Sequence, residues 1–348
     1  MLYIENIILY CLKQLNGERT IYSIYHLLNG KKSSQTIQDA HLFSIKKFFR
    51  IYETLTRESF EKIIENLFNK QLIYVSGTQR YLLTESGEIR LKNIQLPVYI
   101  DGWKYHHLTH PFWERLSLFV QVISNVVFQE AHYLPIQKNK EAHKWLKTIL
   151  KDIKVPRGEI GKLLYTELVE CLDQDENINP SVLVFRLTGY NQIGLTSLQT
   201  AERLNLEAID YHLNFINVLH YLIQQVDSDK VSFRLLTLLL QELENHDSLT
   251  ISTRRTLELL NQGYSMEEIA QLRNLKLSTI EDHLVELALN VADFPIDNYV
   301  EKDLQHQIIE ISRQTATRQL KLIRSHLVTT SYFQIRLVLA KYGDQEWN

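Results

Sequence analysis

Apolar residues recur every three or four positions through most of the first seventy residues, which is the period of amphipathic helices. The chain start, "MLYIENIILYCLKQL" (1–15), places its apolar side chains on one face. A second helix is predicted over "TIYSIYHLLNG" (20–30), where Gly30 ends it. A third is predicted over "TRESFEKIIENLFNKQLI" (56–73). Its inward residues are predicted to be Phe60, Ile63, Ile64, Leu67 and Phe68.

The period then changes from helical to alternating. The stretch "LIYVSGTQRYLLT" (72–84) predicts two short strands around Ser76 and Gly77. Helices followed by a β-hairpin are typical of a winged helix, and we assign this fold to residues 1–98.

The rest of the chain is predicted to be helical. Helices are expected over "PFWERLSLFVQVISNVVFQEAHYL" (111–134) and "KNKEAHKWLKTILKDIK" (138–154), and "DQDENINPS" (173–181) reads as a linker or loop. The predicted fold class is therefore mainly α. The predicted segments are a winged helix (1–98), a helical region with a basic helix (99–172), a region like a helix-turn-helix (173–247) and a C-terminal helix-turn-helix domain (248–348).

A faint internal repeat supports two helix-turn-helix units. Residues 194–213, "GLTSLQTAERLNLEAIDYHL", align with 263–284, "GYSMEEIAQLRNLKLSTIEDHL". Gly precedes Ala by seven residues in both copies, and both end in Ile-x-x-His-Leu. This alignment puts two extra residues in the turn of the second copy. The alternative is that the first copy is an ordinary helical hairpin.

Composition excludes several classes of protein. Apolar residues make up 45% of the 348 residues, with only six Pro and eleven Gly, which favours helices with real cores. Two separated cysteines indicate a reducing compartment rather than a disulfide framework. The N-terminus lacks the basic lead of a signal peptide, and the longest apolar stretch is too short to span a bilayer. We expect a cytoplasmic protein without a membrane partner.

Charge is unevenly distributed in a chain whose net charge is −3. Residues 263–301 hold two basic and eight acidic side chains, which is unfavourable for a helix that lies between phosphate ribbons. We therefore expect this helix-turn-helix mainly to bind protein, through Glu281, Asp282 and Glu286 on its second helix.

Basic residues elsewhere are candidates for DNA contact. Lys140, Lys144, Lys147, Lys151 and Lys154 are spaced to form one helical stripe about 21 Å long, matching successive phosphates. The winged helix adds further candidates. These are Lys46, Lys47, Arg50 and, on the wing, Arg80 and Tyr81. A C-terminal basic set, which includes Arg336, either binds nucleic acid or pairs with the acidic helix-turn-helix. For the stripe and the wing, the alternative is a plain solvated surface.

No motif points to catalysis. "HHLTH" (106–110) has no ligand at a recognisable spacing, so we expect no metal site. There is no nucleophile elbow or glycine-rich phosphate loop, and we predict no cofactor and no enzymatic activity.

The residues do resemble a known family. "LTISTRRTLELLNQGYSMEEIAQLRNLKLSTIEDHLVEL" (249–287) resembles the helix-turn-helix domain at the C-terminal end of RecQ-type DNA helicases, and parts of it are similar to LuxR-type regulators. The whole chain resembles the YpbB proteins of Gram-positive bacteria, which are typically encoded beside a RecQ-like helicase. The chain lacks the G-x-x-x-x-G-K-[ST] loop that a helicase motor needs.

The resemblance implies a non-enzymatic, DNA-associated adaptor that works with a RecQ-like helicase in DNA repair or recombination. Its DNA binding would be weak or non-specific. The alternative is a sequence-specific transcriptional regulator with tandem helix-turn-helix units.

Overall fold

The computed structural model describes residues 3–243, 249–291, 293–315, 318–327 and 329–342. Within them the protein is mainly helical with one antiparallel hairpin, which confirms the predicted fold class. Contacts divide the chain into two units. The first comprises Met1–Ile7 and Asn93–His246, and the second comprises Ile8–Lys92 and Asp247–Asn348. The predicted boundary between residues 247 and 248 lies outside the described residues, and the one between 172 and 173 falls within the first unit.

The N-terminal part of the second unit is a winged-helix arrangement. Its elements are α1 (Tyr3–Leu15, whose first turn belongs to the first unit), α2 (Tyr22–Asn29), α3 (Ser34–Leu42), a 3-10 turn (Lys46–Phe48), α4 (Arg57–Asn69), β1 (Ile73–Gly77), β2 (Arg80–Leu83) and α5 (Glu85–Lys92). The inward face of α4 is as predicted except for Phe68, which is 46% exposed because it lies at the edge of the apolar stripe.

The predicted hairpin is present, but its turn lies two residues later than expected. Strands β1 and β2 pair antiparallel, with Ile73 opposite Leu83, and Gly77 is the last residue of β1. Gln79 adopts a left-handed φ of 56° and its carbonyl accepts a 2.9 Å hydrogen bond from the Ile21 N–H. This bond fixes the tip of the wing at the start of α2.

The first unit is a helical bundle around two long helices. Its elements are α6 (Gly102–Val127), α7 (Lys140–Asp152), α8 (Arg157–Leu172), α9 (Ser181–Val184), α10 (Ser197–Arg203), α11 (Ala208–Ser228) and α12 (Arg234–Leu238). Helix α6 runs through Pro111, whereas the sequence pattern started it there. The ring removes one backbone donor, but Leu108 and Phe112 are both buried in the core on either side of it, so packing holds the helix together.

The acidic stretch 173–181 is a loop inside the first unit. Ile178 is buried, and the Tyr99 hydroxyl hydrogen-bonds Asp175. Just before the loop, the Tyr221 hydroxyl donates to the Cys171 carbonyl at 2.7 Å. These contacts hold the loop against the core.

The C-terminal part of the second unit contains six helices within the described residues. They are α13 (Ile251–Asn261), α14 (Met266–Leu272), α15 (Leu277–Asn290), α16 (Lys302–Gln314), α17 (Leu320–His326) and α18 (Tyr332–Tyr342).

A buried histidine joins the two long helices of the first unit. His220 on α11 accepts a 3.1 Å hydrogen bond from the Asp101 N–H at its Nδ1, and Asp101 is the N-cap of α6. Its Nε2 lies 2.9 Å from the Thr109 hydroxyl, which donates to the Tyr105 carbonyl. A proton on Nδ1 would face another N–H group. Burial, with the nearby His106 as a lesser cause, lowers the pKa of His220 to about 3.

This histidine should make the first unit sensitive to acid. Because the folded pKa is depressed, the unfolded chain binds one more proton as pH falls below the ordinary value of about 6.5, and stability is lost. We expect the wild type to lose up to about 2 kcal/mol more unfolding free energy than His220→Asn between pH 7 and pH 5. Urea denaturation at both pH values measures this. Equal losses in the two proteins would show that His220 does not titrate on unfolding.

Candidate nucleic-acid interface

Two helix-turn-helix units with matching local geometry occur, one in each unit of the structure. In α10–α11 the first helix starts with a capping box of Thr196 and Gln199, and in α14–α15 with one of Ser265 and Glu268. Each first helix ends before an asparagine in the left-handed region, Asn205 with φ 54° or Asn274 with φ 50°. These caps fix where each helix begins and where the chain turns.

The two turns have the same length, contrary to the sequence alignment. The second helices begin three residues after the asparagines, at Ala208 and Leu277. Tyr211 and Ile280 are buried in the first turns of the second helices, each six residues after its asparagine. The shared Ile-x-x-His-Leu letters therefore do not occupy equivalent positions, because the caps and not these letters set the register.

The second helix of the C-terminal unit is largely covered. Helix α15 packs against α13 and α14 of its own motif, and also against α18 and α3. Only its first turn is open, where Leu277 and Ser278 are exposed. From Ile280 to Ala288 every residue is buried or half-buried. A helix that reads DNA must present a face to the major groove, and here α3 and α18 occupy the sides that α13 and α14 leave free.

The acidic residues of α15 mostly have partners inside the second unit. Glu286 is 7% exposed, and it accepts hydrogen bonds from the Thr250 N–H at 2.5 Å and the Thr253 hydroxyl at 2.6 Å. Asp282 forms a 2.6 Å ion pair with Arg336 on α18. Glu281 is half-exposed. The sequence-based assignment of Glu286 to a protein-binding surface needs correction, because its carboxylate caps α13 from the interior.

Helix α15 also carries a buried histidine. His283 Nδ1 lies 2.8 Å from the Thr256 hydroxyl, which also takes a hydrogen bond from Arg273. Burial, with Arg273 as a second cause, lowers the pKa of His283. Polar side chains on this helix thus hold α13, α14 and α15 together.

The lysine face of α7, defined by Lys140, Lys144, Lys147 and Lys151, has the opposite character. All four side chains are exposed, and at 100° per residue they fall within an arc of about 60°. None of them has an ion pair among the described residues. The face is about 17 Å long. The helix therefore carries a row of positive charges that no ion pair among the described residues neutralises.

Packing of the other side of α7 orients this face. Trp145 stacks edge-on against Phe119 of α6, with ring centroids 6.1 Å apart, and its indole N–H donates to the Leu238 carbonyl at 3.2 Å. Lys154 is exposed but lies beyond the end of α7, because the chain becomes extended at Ile153. The stripe therefore has four helical lysines, and Lys154 continues it from a loop.

The winged-helix candidates are less free. Lys47 lies over the Tyr10 ring at 4.9 Å and Arg50 forms a 2.9 Å ion pair with Glu53. Lys46 is half-buried and also has a partner. Arg80 is exposed and Tyr81 is half-buried on the wing. Contact of these five residues with DNA stays a prediction.

A groove of about 550 Å³ opens in the C-terminal helix-turn-helix. Its lining is mostly apolar, and we call it the acidic groove after the glutamate at its edge. Glu267 is the one charged side chain in its lining, and the exposed Glu258 lies one residue from the lining residue Leu257. The lining consists of Leu257, Leu260, Asn261, Gly263, Tyr264, Ser265, Met266, Glu267, Phe294, Pro295, Asn298 and Tyr299.

Neither a metal centre nor a membrane helix was found in the described part of the chain. No three His, Cys, Asp or Glu side chains there are grouped so that they could hold a metal ion. No helix described is long and apolar enough to cross a membrane.

Comparison with known proteins agrees with the geometry of α13–α15. A family described as "Helix-turn-helix domain" matches residues 252–339, a class that points to DNA binding. The chain is also 35% identical to Protein YpbB of Bacillus subtilis (strain 168), over 99% of this chain and 98% of that protein. The chain belongs to the YpbB family. No solved structure matches it.

Two features of this YpbB-family chain were missed in the sequence. The acidic groove is assembled from α13, the start of α14 and residues 294–299, which no spacing pattern connects. The packing of α3 on α15 joins segments more than two hundred residues apart. The sequence of α3 is mostly polar and gives no sign that Gln38, Asp39 and His41 are buried.

Removing the Glu286 carboxylate should destabilise the second unit. Glu286→Ala leaves the Thr250 N–H and the Thr253 hydroxyl without their acceptor, at a cost of about 1–3 kcal/mol. Glu281→Ala, one of the half-exposed positions on the same helix, should change stability by less than about 0.5 kcal/mol. Thermal and urea unfolding of both full-length variants measure the difference. Equal stability of the two would contradict the capping role of Glu286.

Proposed function

We propose that the protein is a non-enzymatic, DNA-associated adaptor that works with a RecQ-like helicase in DNA repair or recombination. The observation that carries this proposal is the lysine face of α7, four exposed cations without ion-pair partners among the described residues. The role would place the protein in the cytoplasm, with the chromosome.

Phosphate contact by the lysine face follows from electrostatics. A row of unpaired lysines displaces the counterions that surround DNA, and it does so whatever the base sequence. The buried Trp145 and its neighbours on α7 keep the row straight, so several phosphates could be contacted at once. Binding of this kind is weak, salt-dependent and blind to sequence, which suits an adaptor.

Partner binding is assigned to the helix-turn-helix domain. The acidic groove offers an apolar floor, including Tyr264 and Met266, and an acidic edge at Glu267. A basic surface segment with an apolar side chain fits this chemistry, and charge complementarity would guide its approach. Glu281 stays available as a second contact, whereas Glu286 does not.

A sequence-specific regulator is the second candidate, favoured by the match to the helix-turn-helix family. The covering of α15 beyond its first turn argues against it, as does the equivalent burial of α11 in the first unit. Footprinting on genomic fragments distinguishes the two roles: protected half-sites would support the regulator, and binding without sequence preference would support the adaptor.

Neutralising the lysine face should flatten the salt dependence of DNA binding. With four or five phosphate contacts at about −0.9 each, the log–log slope for duplex DNA should be about −4. Changing Lys144, Lys147 and Lys151 to Gln should reduce its magnitude by about 2 to 3 and weaken binding evenly across sequences. Fluorescence anisotropy with labelled duplexes at several salt concentrations measures this.

The matched control removes three exposed lysines that are already ion-paired. Lys62 pairs with Glu58, Lys230 with Asp227 and Lys302 with Asp297. Replacing these three with Gln changes net charge equally, and the slope should stay within about one unit of the wild type. A control that behaves like the lysine-face variant would mean that only total charge matters, and the proposed contact would be wrong.

Charge reversal at the acidic groove should weaken binding to the helicase. Glu267→Lys should reduce affinity for a purified RecQ-like helicase of the same organism by roughly fivefold, about 1 kcal/mol. Glu202→Lys, an exposed position on α10, is the control with the same charge change and should bind normally. Surface plasmon resonance with full-length proteins measures both. No binding by the wild type would refute the helicase role itself.

A further inference from the structure

An aromatic pair is exposed where α6 ends. Phe128 follows the last residue of α6 and is 60% exposed. One face of its ring stacks on Tyr190, with centroids 4.5 Å apart and planes 16° from parallel. The backbone N–H of Tyr190 donates to the Ser124 hydroxyl of α6 at 2.9 Å, so the pair is anchored to the helix. Phe128 is therefore a supported ring that solvent reaches.

The lysine face leads towards this ring. Helix α7 runs alongside α6 in the same direction, because Asn139 at its start hydrogen-bonds Glu114 at 2.6 Å, while Trp145 packs on Phe119 further along. The C-terminal end of α7 thus lies at the same end of the bundle as Phe128. Helix α8 begins five residues after α7 ends, and it also lies at this end of the bundle, because a side chain added at Gly161 would meet Val127 of α6.

The surface around Phe128 is unusually apolar for solvent exposure and has cations at its border. Val126 and Val127 are exposed next to it in the chain, and Tyr165 lies exposed one turn after Gly161 on α8. Lys162 on α8 is exposed, and Lys151 and Lys154 come from the end of α7. Exposed apolar patches with a charged edge mark binding surfaces rather than cores.

We propose that this end of the first unit binds single-stranded DNA, with a base stacked on Phe128 and the backbone following the lysine face. The assignment rests on the proposed phosphate contact of α7 and adds the class of nucleic acid. In a duplex the bases stack on one another and their faces are closed to a protein ring. In a single strand they are open, and a ring beside a row of cations meets both chemical groups of each nucleotide.

The test uses the full-length protein and a labelled oligothymidylate, with a random-sequence duplex in parallel. Phe128→Leu keeps an apolar side chain but removes the ring, and it should weaken oligothymidylate binding by roughly 5- to 100-fold. Duplex binding should stay unchanged. Phe128→Trp should restore the single-strand affinity, and its added fluorescence should be quenched when oligothymidylate binds. Tyr332→Leu, an exposed aromatic position on α18, is the control and should bind like the wild type.

Each outcome separates this inference from the proposed function. If Phe128→Leu binds oligothymidylate normally while the lysine-face variant loses affinity, the stacking site is wrong and the phosphate contact stands. Equal loss of duplex and single-strand binding in Phe128→Leu would also overturn the stacking site. If the lysine-face variant retains both affinities, the phosphate contact fails and the inference fails with it. Circular dichroism checks that every variant is folded.

Discussion

The covering of α15 by α3 and α18 is the constraint on which the second unit depends. A helix-turn-helix normally leaves one side of its second helix open, yet here that side completes a core with the N-terminal segment. Ile280, Leu284 and Leu287 of α15 are buried. On the α18 side, Asp282 pairs with Arg336, which also donates to Gln38 of α3. This packing uses the surface that a DNA-reading helix would place in a groove.

The same packing explains the acidic composition of α15. The Asp282 carboxylate neutralises Arg336 from α18, and Glu286 caps α13, so two of the acidic groups stabilise helices rather than face a partner. A basic residue at position 286 would leave the Thr250 N–H unsatisfied and bury an unpaired charge. Exposed acidic charge is retained at Glu258 and Glu267, beside the acidic groove.

The sequence patterns predicted the helices and strands better than they predicted which of their residues are buried or form a binding surface. The winged helix, the basic helix and both helix-turn-helix units follow from local periodicity and caps, such as Thr196 with Gln199, and these are short-range signals. The burial of Glu286 and the acidic groove depend on segments distant in sequence, and no local pattern encodes them. The lysine face was predictable because Trp145 and its spacing fix which side of α7 turns inward. The end of α7 at Ile153 also has a sequence signal, because Pro156 follows three residues later.

The order of segments along the chain also constrains how function can be divided. In sequence, the residues of the second unit come before and after most of the first unit. Its helix-turn-helix therefore packs against a helix from the N-terminal part of the chain. Cutting the chain before residue 248 would remove α3 from α15 and expose the part of α15 that α3 covers. A fragment carrying only the C-terminal helices would therefore present a new apolar surface that the intact protein does not have. Binding measured with such a fragment would reflect the new apolar surface. The roles of the two units are therefore better separated by point substitutions in the full-length chain than by truncation.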